Sequence, residues 1–569
     1  MIMVPQLSFA LSALLVVLPA LGNARPSPSP TLGRRWVAPS PALSLSKYDQ
    51  EVFDVAMTIN DWAWEPSTGW IESDDDNGHT SSRFTAWYVP GLLYRNGKGD
   101  VDKAIWAIKN LIGLQFTDPA DNGTAWYWDY KEASDIPSPN ADTYPAEIYG
   151  SYDPNWSYFI GLQFVQIIEE FESLLPSSLI DAMVDSTYKA ARNLMTRVGY
   201  DGDNLVTAYS NPAIGRAIVV EWVGNRIGDT NLTMAGEQYA KDIYDLFTAH
   251  GYNTLGEYNV PTYYGEDVLG LCQWIRHAPA NSSLPAYGKY ILTKLWEDIA
   301  EHYNYDLKNM VGPYDRVYHR NMLIDDNIIS IFFWMLLGRD VSPVAPIGTD
   351  SAIYDLRQGA AFALVGQTLR DTLNQTILDS LVTPVGDVDR LFTRGIRVSL
   401  DNDTTRVNTA WVNENVMAGG QQVAELYNRG SQFTPMILHW KSGNTTMPSR
   451  PYVSFFQLYA TASTINATVT PWHIEVSYPN NTQAGTDVFE YLIGDIPAPF
   501  WAAGQNMNGF NNLPCLDVSI SSEGLNGTVE LGKYGDFTIQ SNNLWMVSYY
   551  VNTTYGGIPR MSFDVKYTC

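Results

Sequence analysis

Between residues 48 and 338 the apolar positions recur with a helical period. Amphipathic segments run near 48–63, 81–96, 100–115, 154–173, 177–198, 212–226, 231–249, 261–276, 284–303 and 317–338, since apolar residues three and four apart share one helix face. They predict ten helices joined mostly by short links, paired at roughly fifty residues per hairpin, the scale of a helical repeat array. Every second segment opens alike, at Asp153-Pro154, Asn211-Pro212, Asn259-Val260-Pro261 and Pro313-Tyr314-Asp315, with prolines 58, 49 and 52 residues apart. Asn or Asp caps the free N–H groups of a helix start, and Pro suits its first turn. The helix near Ser81 fits the same register, and the intervening segments, such as 231–249 and 284–303, are more polar. The alternation predicts two concentric rings, with apolar helices parallel on the inside and polar helices returning outside. That is an (α/α)5–6 toroid over 46–340 whose inner N-termini open on one rim. A helical solenoid without a site is the alternative.

From about residue 345 the period changes. Segments 396–400, 455–459, 473–478, 488–493, 528–531 and 544–551 are short and rich in β-branched and aromatic residues, and they read as strands. Segment 433–440 is a weaker strand, confined to an edge by Pro435. Turn signals such as Pro479-Asn480-Asn481 separate the runs. The fold class expected is therefore a mainly α toroid followed by an all-β antiparallel sandwich over 345–569.

Composition narrows the function. The chain has 569 residues, 45% hydrophobic and 13% aromatic, so it can bury a core and is not disordered. With 35 Lys and Arg against 61 Asp and Glu, its net charge is −26. That disfavours nucleic acid, which needs a basic surface. Residues 1–24 read as a secretory signal, with an apolar run over 7–21 before Gly22-Asn23-Ala24. A Pro/Ser-rich lead-in follows over 25–45. No other segment has the length of apolar run a membrane span needs, so a secreted chain with no membrane partner is expected. Eleven N-x-S/T sequons, at Asn122, Asn155, Asn231, Asn281, Asn374, Asn402, Asn444, Asn466, Asn480, Asn526 and Asn552, agree with export and imply N-glycans on several of them. Of three cysteines, Cys515 and Cys569 are close enough in region to pair, while Cys272 reads as a buried small hydrophobe.

Candidate chemistry gathers at the marked helix starts. Glu257, Tyr263, Tyr264, Glu266 and Asp267 surround the start near 261, where a helix N-terminus favours negative charge. Asp315, Arg316, Tyr318, His319 and Arg320 form a second cluster, in which Asp315 also suits an N-cap. Arg83 and Trp87 share a helical face at i, i+4, and with Trp156 they suit the apolar face of a sugar ring. A core role for the aromatics is the alternative. Trp126-Tyr127-Trp128-Asp129-Tyr130 lies in the long link 116–153, either as a substrate wall or as a buried lid. The catalytic candidates are Glu257, Tyr264, Asp315, Arg316 and His319. The substrate-binding candidates are Arg83, Trp87, Trp128, Asn155, Trp156, Asn211 and Tyr263. The chain has no P-loop, G-x-G-x-x-G after a strand, H-E-x-x-H, C-x-x-C or G-x-S-x-G motif, so no cofactor or metal is expected. Asp74-Asp75-Asp76-Asn77-Gly78 lacks EF-hand spacing and reads as a solvated turn.

A helical toroid followed by an antiparallel β domain resembles the secreted polysaccharide lyases of the chondroitin AC lyase and alginate lyase type, and also the six-hairpin glycosidases. Residues 48–338 further resemble a group of secreted fungal proteins through Ala86-Trp87-Tyr88, Asp153-Pro154-Asn155-Trp156, Tyr209-Ser210-Asn211 and Gly312-Pro313-Tyr314-Asp315-Arg316. The lyase resemblance implies β-elimination beside a uronate, with an Asn or Arg neutralising the carboxylate and a Tyr or His taking the C5 proton. Tyr264, His319, Asn211, Arg83 and Arg316 are the residue types for those roles, without a residue-by-residue match. The glycosidase resemblance implies a pair of carboxyl groups, for which Glu257 with Asp315 is the best choice and Asp267 the reserve. Elimination stands slightly ahead. A non-catalytic carbohydrate-binding protein, or a toroid acting on a small apolar metabolite, are the other readings.

Overall fold

The computed structural model describes residues 43–569 except 74–78, 140–141, 200–202, 319, 325–326, 346–353, 387–388, 424–431, 445–449, 463, 481–487, 506 and 534–543. The expected signal segment, most of the lead-in and the Asp74–Gly78 turn lie outside the described residues. Helix α1 (Lys47–Ala63) starts at a capping box. Ser46 Oγ accepts from the Asp49 amide at 3.2 Å, and the Asp49 carboxylate accepts from the Ser46 amide at 3.1 Å. The helices that follow are α2 (Ser82–Arg95), α3 (Asp100–Gly113), α4 (Trp156–Phe171), α5 (Ser177–Thr196), α6 (Ser210–Ile227), α7 (Thr230–Thr248), α8 (Tyr264–His277), α9 (Leu284–His302), α10 (Ile328–Leu337), α11 (Gly359–Thr372) and α12 (Gln375–Leu381).

Burial sorts these helices into two sets. Helices α4, α6 and α8 are buried on nearly every side. Helices α3, α5 and α7 bury one stripe; in α7 it is Leu232, Gly236, Ala240, Ile243 and Phe247, at helical spacing. Inner helices α2, α4, α6 and α8 pack in series, and α11 contacts both α8 and α2, which closes the ring. An ion pair fastens that closure: Arg370 of α11 donates to Asp49 of α1 at 2.7 Å. The α6–α7 hairpin is tight because Gly236 lets the backbones approach; a Cβ there would lie 2.5 Å from Glu221.

Nine of the ten expected helices form close to their predicted bounds. The tenth differs: the expected helix over 317–338 begins only at Ile328. Residues 314–317 pair with strand-like backbone instead, as Tyr314 bridges Thr434 and the Val317 amide donates to the Gln432 carbonyl at 3.0 Å. A backbone committed to that pairing cannot also close helical turns. Among the described residues the further helices α11 and α12 lie beyond residue 340, where the toroid was expected to end, and α11 closes the ring.

Among the described residues the remainder is built on a 12-stranded antiparallel sheet. Its strands are β6 (Arg390–Arg397), β7 (Thr405–Val412), β8 (Val416–Val423), β9 (Met436–Gly443), β10 (Tyr452–Tyr459), β11 (Ile465–Thr470), β12 (His473–Ser477), β13 (Val488–Gly494), β14 (Leu516–Glu523), β15 (Leu525–Lys533), β16 (Trp545–Val551) and β17 (Arg560–Tyr567). Five shorter strands precede them: β1 (Trp64–Glu65), β2 (Trp70–Glu72), β3 (Thr80–Ser81), β4 (Tyr303–Asn304) and β5 (Asn309–Met310). Strand β8 pairs with β9 through Gly420 and then with β11 at Gln422 and Val423. One strand changing partners in this way turns a sheet into two leaves. The expected edge position of 433–440 is not observed. Strand β9 is central, between β8 and β10, and Pro435 precedes its first residue, where no ladder donor is required. Cys515 and Cys569 are joined by a disulfide that ties the start of β14 to the end of the chain. Cys272 is buried and free.

The sheet docks on the ring through the loop after α9. Tyr314 and Val317 pack on Ile437, Phe455 and Leu492, and Val311 and Leu323 pack on Val412, Met417 and Val453. The approach is so close that a Cβ on Gly419 of β8 would lie 1.7 Å from the Gly312 carbonyl oxygen. The docking brings β7 and β8 against the helix starts. Among the described residues no helix is long and apolar enough to cross a membrane.

Candidate active site at the helix–sheet junction

The marked helix starts do meet, but their polar residues act as clamps between segments rather than as caps. Asn259, in left-handed backbone at φ +50°, donates to the carbonyls of Val311 (2.7 Å) and Pro313 (2.8 Å). Asn211 lies inside α6, and its Oδ1 accepts from the Tyr158 hydroxyl at 3.0 Å. Asp315 caps no helix. It accepts from the Tyr258 amide (2.8 Å), Arg406 of β7 (2.6 Å) and Gln421 of β8 (2.9 Å). A carboxylate so enclosed stays fixed, because each hydrogen bond is charge-assisted.

Glu257, Asp315 and Arg316 line one cleft of about 370 Å³ together with Asp203, Asn204 and Tyr209. Glu257 is 5% exposed. Its Oε2 accepts from the amide of Ser210, the first residue of α6, at 3.1 Å, and its Oε1 lies 3.7 Å from Arg316. Burial pushes the Glu257 carboxyl up to about 7, against the opposing pull of Arg316 and the Ser210 amide. Arg316 donates to Gln432 at 2.9 Å and lies 4.5 Å over the Tyr263 ring, and Tyr263 shares a short hydrogen bond with Tyr318. Tyr209 accepts from Asn155 at 3.3 Å. Asp203 is desolvated, but Arg197 (2.8 Å) and the Gly199 amide (2.9 Å) outweigh that and hold its carboxyl below the usual range.

The predicted residues divide accordingly. Glu257, Asp315, Arg316, Tyr263 and Asn155 fall at or beside this cleft. Tyr264 does not. It is 1% exposed, its hydroxyl accepts from the Asn259 amide at 2.6 Å, and burial drives its pKa well upward, so it is a structural partner and not a proton acceptor. Trp87 is also core, packed against Phe84 and Phe159. Trp128 stacks on Tyr127 and faces Tyr188 of the outer helix α5, away from the cleft. Arg83, Trp156 and Asn211 form a group deeper in the ring. His319 lies outside the described residues. The structure adds Asp203, Arg197, Arg406 and Gln421. The signal for the last two is a buried charged and a buried polar residue within strands, at positions that face the ring. The Asn155 sequon is a correction too: its amide is buried and held by Arg197 and Tyr209, which leaves no room for a glycan. Asn122, Asn231, Asn281, Asn374, Asn402, Asn444, Asn480 and Asn526 are exposed.

Residues 50–367 match the protein family described as Domain of unknown function (DUF8769). The chain belongs to this family. Residues 389–566 match a second, Domain of unknown function (DUF8770), so the DUF8769 region carries the ring and the DUF8770 region the sheet. No curated protein matches. Among solved structures the chain is similar to heparinase III, at 9% identity over 92% of this chain and 86% of that one, with a TM-score of 0.39. It is also similar to endoglucanase CelQ from Clostridium thermocellum complexed with cellotriose, at 12% identity over 92% and 93%, with a TM-score of 0.26.

Proposed function

We propose that the chain is a secreted, N-glycosylated enzyme that cleaves glycosidic bonds by β-elimination beside a uronate, with the Glu257–Arg316 cleft as its active site. The observation that carries this reading is Arg316, a guanidinium lining the cleft of a strongly acidic protein, held over Tyr263 and facing Glu257 across 3.7 Å. A guanidinium matches the planar carboxylate of a uronate, and a local cation in a cleft overrides the global charge at short range.

In the elimination, the C5–H bond breaks and its electrons form the C4–C5 double bond as the C4–O4 bond breaks. Arg316 leaves Glu257 for the substrate carboxylate and stabilises the charge that builds on it. The Glu257 carboxylate takes the C5 proton; a carboxyl poised near 7 suits transfer at neutral pH. The Tyr209 hydroxyl protonates the departing O4 and is restored by the proton on Glu257.

Hydrolysis is the second reading. Two carboxyl groups with different environments line one cleft, Glu257 protonating near neutrality and Asp315 fixed by Arg406, which suits a general acid with a base or nucleophile. A panel of uronate-containing and neutral polysaccharides tests both. Elimination creates an ultraviolet-absorbing unsaturated uronate, and the proposal fails if cleavage yields new reducing ends without that absorbance.

A further inference from the structure

Behind the cleft, first-turn residues of four inner helices converge: Arg83 of α2, Tyr158 of α4, Asn211 of α6 and Glu266 of α8. Tyr158 joins α4 to α6 through its bond to Asn211. The Arg83 guanidinium lies among aromatic rings, 4.9 Å from Trp87 and Phe159 and 5.2 Å from Trp156. Glu266 is 5% exposed, and neither of its carboxyl oxygens has a hydrogen-bond partner; Asn211 Nδ2 and Arg83 Nε have none either. The group adjoins the cleft along α6, since Asn211 follows Ser210, whose amide binds Glu257. Native proteins rarely leave several buried polar atoms unpaired in one place, and such a cluster calls for a missing partner.

The unpaired set is two carboxyl oxygens, an amide N–H and a guanidinium N–H beside aromatic rings. Vicinal hydroxyls bridge such donors and acceptors. One turn further in, the ring is filled: Gln163, Phe164, Leu269 and Gln273 are shut off from solvent, so a glycan cannot thread through.

We propose that Arg83, Asn211 and Glu266 form a subsite for the terminal, uncharged sugar of the chain, which makes the enzyme exo-acting. The assignment rests on the reading of the cleft as a carbohydrate site. A second uronate is disfavoured there, because its carboxylate would face Glu266.

The test uses the full chain and three probes: methyl β-D-galactopyranoside, methyl β-D-glucopyranoside and methyl α-L-rhamnopyranoside. Binding is read by saturation-transfer NMR for the wild type, Glu266→Gln and Asn211→Ala, with thermal melting in parallel. At least one probe binds the wild type, and each variant weakens it by about ten-fold, as for lost buried hydrogen bonds; Glu266→Gln leaves the melting temperature unchanged or raised, while Asn211→Ala, which strips the Tyr158 hydroxyl of its acceptor, lowers it. The subsite is overturned if no probe binds the wild type, if both variants bind as well as it does, or if Glu266→Gln lowers the melting temperature by more than about 5 °C, which would mark a structural carboxyl. Probe binding without any unsaturated product would sink the elimination reading and leave the subsite standing. Random internal cleavage of a polymer would leave the elimination reading and remove the exo assignment.

Discussion

Asp315 and Arg406 meet at 2.6 Å across the junction of ring and sheet, with side chains only 1% and 4% exposed. Arg406 also donates to the carbonyl of Gly256, the residue before Glu257, at 2.7 Å. One guanidinium from β7 thus fixes both carboxyl-bearing segments of the cleft. Arg406→Met leaves Asp315 buried without its cation and should cost about 3–5 kcal/mol, as for other broken buried pairs. Urea unfolding measures the loss. Asp315→Asn in the same chain should restore part of it, and equal, additive losses would show that the two residues are not coupled.

Stability should fall with rising pH between about 5 and 8. Burial raises the Glu257 and Glu266 carboxyls from the ordinary carboxylate range to about 7. Each therefore holds a proton in the folded chain that the unfolded chain has released. Their contribution is full below the unfolded value and is lost as pH rises through 7, with a limiting slope of about 1.4 kcal/mol per pH unit for each proton. Glu266→Gln should flatten the melting temperature against pH across that window. A profile that rises from pH 5 to 8, or one the variant leaves unchanged, contradicts the assignment.

Gly419 permits the contact between β8 and the Gly312 carbonyl. Gly419→Ala should force the loop bearing Asp315 and Arg316 off the sheet, at about 1–3 kcal/mol, as for other overpacked sites. Activity should fall further than that stability loss explains, because the loop carries the cleft. Wild-type melting and wild-type turnover in this variant would mean that the close approach does not position the site.

The disulfide spans 54 residues, and loop-closure entropy predicts a cost of about 4 kcal/mol on opening it. Cys515→Ser with Cys569→Ser should lower the melting temperature of the chain. The catalytic rate at low temperature should persist, because neither cysteine touches the cleft. Loss of activity in the folded double variant would contradict the cleft's location.

The ring was legible because inner and outer helices differ in how much of their surface is apolar, and the period of that pattern survives in a single chain. The loop 311–324 was not legible. Val317 and Met322 continue a helical pattern, but Val317 packs on the sheet while Met322 joins the core of the ring, and Asn309 and Asn321 satisfy the backbone amides of Met322 and Leu323. Strands β7 and β8 were overlooked since Arg406, Asn408, Gly419, Gly420 and Gln421 interrupt the apolar alternation, and these interruptions are where the sheet meets the site. Glu257 and Arg316 stood out from local chemistry alone. Tyr264 misled for the same reason, because nothing in its neighbours along the chain reveals that its hydroxyl is spent on Asn259.

The central claim is that the Glu257–Arg316 cleft eliminates rather than hydrolyses. Cleavage of a uronate glycan in oxygen-labelled water, followed by mass spectrometry of the products, tests it most directly. The account predicts a fragment lighter by one water and free of label, formed by the wild type and reduced roughly 10²–10⁴-fold in Glu257→Gln. Products that all keep full mass, with no fragment lighter by a water, would contradict it.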